Sequence, residues 1–354
     1  MSGNAVVFGG PSDEHDISIL TGLQVCHALK DLHAFYWTKG GDWYEVNPDA
    51  EAADFVDGPP RKARQLSLIP QVGQGFVGRR PIPVAAVINC CHGGPGEDGT
   101  LQGMLDLAGI RYTGPGQAAS ALGMDKLAFG SAMRAAGLPT LDRLPIIGPP
   151  PGFPAPYICK PRFGGSSIGI EVVDDWATAL ALVAKSPHYA GGGVAEPFLR
   201  SSRDLQVAIR TYPELELSAI ESPMRSGAGI YSYNQKYLAW GGEVSGGREL
   251  PASLASADEH QLRDLARRVT DVAGLRGLCR IDFLQSDGRI WVNEVNTIPG
   301  SMAAYLWIDP PRSRAELFGD LLAEALASPT RRFSTIGADG TALRNAGTID
   351  SKLG

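Results

Sequence analysis

Apolar positions near the N-terminus come in short unbroken runs punctuated by glycine. Residues 5–10 (AVVFGG) and 84–91 (VAAVINCC) are two such runs, each leading into Gly-rich sequence. Apolar runs of this length without alternation predict strands buried on both faces. Ser12 or Asp13 is positioned to cap a helix after the first run, reaching about Leu32. After the second run, TLQGMLDLA (100–108) predicts a helix ended by Gly109. Strand, glycine loop and helix, repeated, predict an α/β domain with ligands at the strand C-termini. Residues 56–83 are rich in Pro, Gly and Arg and predict an irregular connection.

Farther along, residues 125–136 predict a helix with Asp125 as N-cap, Gly137 just past its end and Pro139 beyond. A proline-rich loop, 144–156, leads into the strand YICKP. Ser256 and Glu259 have capping-box spacing before a helix whose Leu262, Leu265, Ala266 and Val269 share one face, and Gly274 ends it. From Ser328 onward the chain is polar and aperiodic, as in a mobile tail. No internal repeat is present.

Composition narrows the function classes. At 354 residues the chain is long for one core and predicts two or three domains. A net charge of −6 argues against a nucleic-acid or membrane-surface partner. No apolar stretch reaches the ~18 residues of a membrane span, and no signal-like N-terminus is seen, so a cytoplasmic protein is expected. Five cysteines without CxxC spacing predict buried free thiols. The six histidines form no HExxH or HxH pattern, so no zinc site is expected.

Three stretches carry candidate chemistry. Gly94, Gly96 and Gly99 form a GxGxxG between a strand and a helix, but the following strand (IRYTGPG, 110–116) lacks the acidic residue a dinucleotide site needs. No Walker A motif exists. The second stretch, YICKPRFGGSSIGIEVV (157–173), reads as strand, glycine loop, strand. Lys160 ends the first strand, and Gly164, Gly165, Ser166, Ser167 and Gly169 fill the loop. Such a loop presents backbone N–H groups and hydroxyls to phosphate and can hinge as a lid, although an ordinary glycine hairpin has the same pattern. The third is the strand pair LCRIDFL (278–284) and IWVNEVN (290–296). Alternation puts Arg280 and Asp282 on one face of their strand and Glu294 with Asn296 on one face of theirs. A two-residue Asp-Gly turn sets these rows on opposite faces. A three-residue loop, 286–288, with Gly288 left-handed sets them together, and that is the expectation. Two carboxylates and a carboxamide then converge as hard oxygen ligands suited to Mg²⁺. A phosphate lid and a carboxylate sheet without a Walker A point to ATP bound by a different fold.

FGGPSDEHDIS (8–18), CHGGPGEDGTLQGMLDLAGIRYTGPG (91–116), ALGMDK (121–126), KPRFGGSSIG, YSYNQKY (231–237), RIDF and NEVNTIPG occur in that order. On these motifs the chain, from about Val6 to about Leu306, resembles the D-alanine–D-alanine ligases of the ATP-grasp superfamily. The resemblance implies an α/β (α+β) ATP-grasp fold in three domains. These are an N-terminal open parallel α/β domain (1–115), a central part with the phosphate lid (116–199) and a C-terminal part with metal and oxyanion residues (200–327), followed by the tail (328–354). It implies ATP and two Mg²⁺ ions (Mn²⁺ being a substitute), small amino-acid substrates and a homodimer. Glu14, Ser166 and Tyr237 match a hydrogen-bonded group beside the first substrate's ammonium, and His92 a histidine near the reacting carboxyl groups. Lys126, Lys160 and Ser167 match phosphate contacts, Glu196 an adenine-side carboxylate, and Leu199 and Asp204 further nucleotide contacts. Lys236 matches a lysine over the γ-phosphate, Arg280 the oxyanion-stabilising arginine, and Asp282, Glu294 and Asn296 the metal ligands. Gly300, Tyr305 and Leu306 fall where the family binds its second substrate.

The chain departs from the family at Tyr305, where a small serine is usual, and carries Ala303 and Ala304 in place of hydroxyl residues. His15, Asp16 and Pro197 also differ, at tolerant positions. Three readings follow: a cell-wall dipeptide ligase, a diverged carboxylate–amine ligase with another second substrate or ring closure, as in antibiotic biosynthesis, and a non-catalytic nucleotide-binding relative.

Overall fold

The computed structural model describes residues 3–223 and 247–346; Lys236 and Tyr237 lie outside them. The first sheet contains β1 (Gly3–Gly9), β2 (Leu32–Trp37), β3 (Trp43–Val46), β4 (Arg64–Ile69), β5 (Gly75–Val77), β6 (Val84–Asn89) and β7 (Arg111–Tyr112), in the order β5-β4-β3-β2-β1-β6-β7. β1 pairs in parallel with β2 and β6, and β6 with β7, while β3, β4 and β5 extend the edge antiparallel. Val6 and Phe8 pack into one core and Ala5 and Val7 into another, so β1 is apolar without alternation because both faces are covered.

Two expectations need correction here. The helix after β1 spans His15–Ala28, with Glu14 at its N-cap, and stops short of Leu32, which opens β2. Asp31 at φ 61° makes the reversal between them. Ser12 stands two residues before that N-cap, where its hydroxyl accepts from Glu14 N at 3.0 Å and donates to the His92 carbonyl at 2.6 Å. Residues 56–83 are not irregular throughout. Leu66 and Leu68 alternate with exposed Gln65 and Ser67 to make β4, a signal of only two buried positions. The helix Thr100–Ala108 ends on Gly109 at φ 70°, as expected.

The second sheet is β8 (Leu144–Pro145), β9 (Tyr157–Pro161), β10 (Glu171–Val173) and β11 (Gly193–Pro197), in the order β10-β9-β11-β8. The third is β12 (Arg203–Arg210), β13 (Glu216–Pro223), β14 (Arg248–Glu249), β15 (Cys279–Ser286) and β16 (Arg289–Asn296), in the order β14-β13-β12-β15-β16. Each buries one face under helices. Tyr157 and Cys159 of β9 share a core with Ala179 of the helix Trp176–Lys185. Leu205, Val207 and Ile209 of β12 share another with Leu262, Ala266 and Val269 of the helix Ser256–Ala273. Alternation leaves Ile158 and Lys160 of β9, and Asp204 and Gln206 of β12, to line a common cleft.

Asp125 caps the helix Lys126–Ala135, accepting from Leu127 N at 3.0 Å and Ala128 N at 3.2 Å. Ser256 does not cap the helix it opens; Ala255 holds that position, and Glu259 pairs with Arg263 one turn on instead. The helix Arg314–Ala327 returns to the first sheet, where Leu317, Phe318 and Leu321 join the core of Val6 and Ile88. The five cysteines are buried and free. Among the described residues no helix is long and apolar enough to cross a membrane.

Candidate active site

The hairpin β15–β16 supplies the charged floor of the cleft, and one irregularity sets its register. Ser286 pairs with Arg289, so the connection is the two-residue turn Asp287-Gly288, with φ of 51° and 70°. The expected three-residue loop is absent. Such a turn alone would set Asp282 opposite Asn293 and put Glu294 on the far face. A bulge between Asp282 and Phe283 shifts the register: Phe283 pairs with Val292, but Asp282 pairs with Glu294 and Arg280 with Asn296. The convergence is as expected, but the extra residue Asn293 produces it. Arg280 donates to both Asp282 oxygens, at 2.7 and 2.9 Å, and Asn296 Nδ2 donates to Asp282 Oδ2 at 3.2 Å.

Across the cleft stand the second sheet's cations. Lys160 Nζ donates to Glu196 Oε2 at 2.8 Å and to Asn293 Oδ1 at 3.2 Å, so the bulge residue itself reaches the site. Arg143, its side chain 4% exposed, pairs with Glu196 Oε1 at 2.9 Å. It also donates to the carbonyls of Lys126 and Asn293. Burial raises the Glu196 carboxyl, but Lys160 and Arg143 outweigh it and hold the group below the usual carboxylate range. Burial, with Lys160 and Arg143 adding, lowers Lys126 against the opposing pull of Glu294 and Glu196. Three buried cations thus crowd two carboxylates, a floor suited to a polyanion. One cavity is lined by Lys160, Ser167, Glu196, Leu199, Asp204, Asp282 and Glu294, with Leu141, Ile158, Ile170, Phe198 and Leu284 as apolar walls. That combination takes a flat apolar ring at one end and phosphates at the other.

Arg143 and Asn293 were not anticipated. Their only sequence signals are a lone arginine in the apolar stretch LPTLDRLPII and the first residue of NEVN. Arg143→Ala should destabilise the fold by ~3–5 kcal/mol, because it strands a buried carboxylate beside one cation. Urea unfolding measures this, and a loss under ~1 kcal/mol would contradict it.

The lid loop meets the first glycine turn. Ser166 Oγ donates to Glu14 Oε1 across 152 residues. A Cβ at Gly93 or Gly165 would lie 2.8 or 2.9 Å from Glu14 Oε2, so both backbones lie against the carboxylate, and Gly93 at φ 64° also has a backbone that favours glycine. Lys126 Nζ donates to the Gly164 carbonyl at 2.5 Å, tying the lid's base to the cation cluster. The expected third member of this group, Tyr237, lies outside the described residues, as does Lys236.

His92 is buried and both its ring nitrogens are engaged. Nδ1 lies 2.6 Å from the Ile298 carbonyl and must donate; Nε2 then accepts from Thr21 Oγ1 at 2.7 Å. Burial lowers its pKa, so the ring is neutral. Thr21 in turn accepts from Ser301 N at 3.1 Å. Glu97, also unanticipated, accepts from Gly93 N at 2.8 Å, Ile298 N at 3.0 Å and Thr297 Oγ1 at 3.2 Å. Burial first and the charge of Glu14 second raise its carboxyl to about 7.

Residues Ser301, Met302 and Ala303 follow with φ of 50°, 52° and 49°, a left-handed turn of L-residues that costs roughly 1–2 kcal/mol at each. Burial of Met302, Ala303, Leu306 and Trp307 in the first core holds it. Leu306 is wholly buried, backbone included. Tyr305 is partly buried, and burial raises the Glu221 carboxyl against the opposing pull of Arg248 and of the nearby Tyr305 hydroxyl. The Arg248 guanidinium lies 5.1 Å from the Tyr305 ring centroid and 3.5 Å from Glu221 Oε1.

Residues 4–115 match the family model for the D-ala D-ala ligase N-terminus, and residues 152–310 that for the D-ala D-ala ligase C-terminus. Among curated proteins, the D-alanine–D-alanine ligase of Mycobacterium bovis is 32% identical over 91% of this chain and 95% of that protein. The enzyme of that name from Nocardia farcinica is 32% identical over 92% and 97%. Among solved structures, the D-alanine–D-alanine ligase of Coxiella burnetii superposes with a TM-score of 0.77 at 22% identity, over 91% of this chain and 93% of that one. The VanG D-Ala:D-Ser ligase of Enterococcus faecalis gives 0.75 at 23%, over 92% and 100%.

Proposed function

Because the chain belongs to the D-alanine–D-alanine ligase family, we propose that it is an ATP-dependent ligase joining two molecules of D-alanine through an acyl phosphate. The observation that carries this reading is the hydrogen bond from Ser166 to Glu14. It brings the phosphate lid onto a buried carboxylate, and a carboxylate there suits an amino acid's ammonium, not another phosphate.

ATP occupies the cleft between the second and third sheets, with its phosphates toward Lys126, Lys160 and Ser167. The oxygens of Asp282, Glu294 and Asn296 fit Mg²⁺, being two carboxylates and a carboxamide on one face. When bound, Mg²⁺ supplies neutralisation of the phosphate charge. The first D-alanine is held by Glu14 through its ammonium, and its carboxylate attacks the γ-phosphate, releasing ADP. The second D-alanine's amine attacks the acyl carbon, losing a proton, and phosphate leaves. Arg280 stabilises the oxyanion of that addition. The closed lid keeps water from the acyl phosphate. Neutral His92, with both nitrogens engaged, positions the backbone near the reaction.

The altered-acceptor reading rested on Tyr305. It is disfavoured by the dipeptide-ligase relatives. A non-catalytic relative is equally disfavoured by the intact set of cations and oxygens in the cleft. The purified chain with ATP, Mg²⁺ and D-alanine should release ADP and D-alanyl-D-alanine together. An acceptor kcat/KM below ~10⁴ M⁻¹s⁻¹ for D-alanine, with another amine above it, would overturn the assignment.

A further inference from the structure

Thr297 and Ile298 lie between the last metal-side residue of β16, Asn296, and Pro299-Gly300, where the second substrate's site begins. Their backbone is gripped on two edges from the N-terminal sheet's glycine loop. His92 Nδ1 donates to the Ile298 carbonyl at 2.6 Å. Glu97 accepts from the Ile298 N–H at 3.0 Å and from the Thr297 hydroxyl at 3.2 Å, bridging 201 residues of sequence. The other oxygen of Glu97 accepts from Gly93 N at 2.8 Å. Gly93 in turn lies against Glu14, so close that a Cβ there would sit 2.8 Å from the Glu14 carboxylate. One buried side chain therefore spans from the turn that touches Glu14 to the backbone that leads into Gly300.

Resting on the ligase reading, we propose that Glu97 is a positioning residue for acyl transfer. It touches no substrate. It fixes the 297–300 backbone against the Glu14 turn and thereby sets the gap between the first substrate's acyl carbon and the second substrate's amine. Both carboxylate oxygens accept from backbone N–H groups, so a carboxamide of the same shape cannot replace it. In Glu97→Gln, one amide nitrogen must face an N–H donor, and one of the two anchors is lost.

An offset of about 1 Å between reacting groups costs ~10²-fold in rate. The loss should fall on the second step, because Glu97 holds the backbone at Thr297 and Ile298, past the end of β16, and is not among the residues that line the ATP cleft. Glu97→Gln should lower dipeptide kcat by ~10²-fold while the KM for ATP stays near wild type. ADP formed per dipeptide should rise several-fold as the acyl phosphate is lost to water. Thr297→Val, which removes one hydrogen bond only, should uncouple in the same direction more mildly and serves if Glu97→Gln folds poorly. Amide hydrogen exchange, which needs no substrate, should quicken at residues 297–302 and stay unchanged in β12.

Three results would overturn the proposal: ADP and dipeptide falling together at unchanged ratio, unchanged kcat in a folded variant, or unchanged exchange at 297–302. The wild-type control separates the two readings. A wild type that makes no D-alanyl-D-alanine fails the ligase assignment, while the exchange measurement still decides whether Glu97 fixes this backbone.

Discussion

Arg280→Ala should lower kcat/KM for dipeptide formation by ~10²–10³-fold, the usual cost of removing one oxyanion donor. Arg280 extends from β15 opposite Asn296, is buried, and is held flat by two hydrogen bonds to Asp282. That fork fixes its direction before substrate arrives, so little reorganisation accompanies the developing charge. Arg280→Lys should recover little, because a single ammonium cannot reproduce two parallel hydrogen bonds. The loss should appear in kcat, with the KM for ATP nearly unchanged, since Arg280 is no part of the cation cluster around Glu196. Steady-state kinetics with both D-alanine sites resolved measures it; a loss under ~5-fold would remove Arg280 from the oxyanion role.

Glu294→Gln should be the second severe substitution. It keeps the shape of the side chain and removes one negative charge from the face shared with Asp282. Even changes outside the ligand shell cost ~10–100-fold in metal affinity, so the Mg²⁺ needed for half-maximal activity should rise by at least that factor. At saturating Mg²⁺, turnover should still be poor. Glu294 also counterbalances Lys126. Its removal therefore leaves the cation cluster less neutralised, and metal-free ATP should bind no more weakly than to wild type. Calorimetric titration with ATP in chelator separates these effects: weaker binding there would show that Glu294 acts on the nucleotide and not through the metal. Near-normal turnover would end the metal assignment altogether.

What the sequence made legible was chiefly local. AVVFGG, the Asp125 cap and the Gly109 and Gly274 stops are read from neighbours alone, and each element stands where its signals put it. Motif order made the cleft's membership legible, and Lys160, Ser167, Glu196, Asp204, Asp282 and Glu294 do line one cavity. Features decided by distant partners were not legible. Ser12 has the chemistry of a cap and does accept from Glu14 N, but its proton goes to the distant His92 carbonyl. Ser256 and Glu259 have capping-box spacing, yet Arg263 claims Glu259. Arg143 looks like a stray charge until Glu196 and two carbonyls from other segments close around it. Glu97 reads as one letter of a glycine motif, and its meaning lies 200 residues away at Thr297.

The single extra residue in β16 has a consequence for how this hairpin can change over generations. Side chains in a strand obey a parity, and the Asp-Gly turn and the bulge are two odd steps whose effects cancel. Because Asn293 is the surplus residue, deleting it would remove the bulge and still leave Glu294 opposite Asp282 and Asn296 opposite Arg280, losing only the contacts that Asn293 makes with Lys160 and Arg143. What the hairpin cannot tolerate is the surplus residue drawn into regular pairing, which would set Asp282 opposite Asn293 and turn Glu294 and Asn296 toward the helix Ser256–Ala273. A homologue whose hairpin has the same length but a three-residue tip should therefore lack the bulge, and its polar pair should still face the cleft.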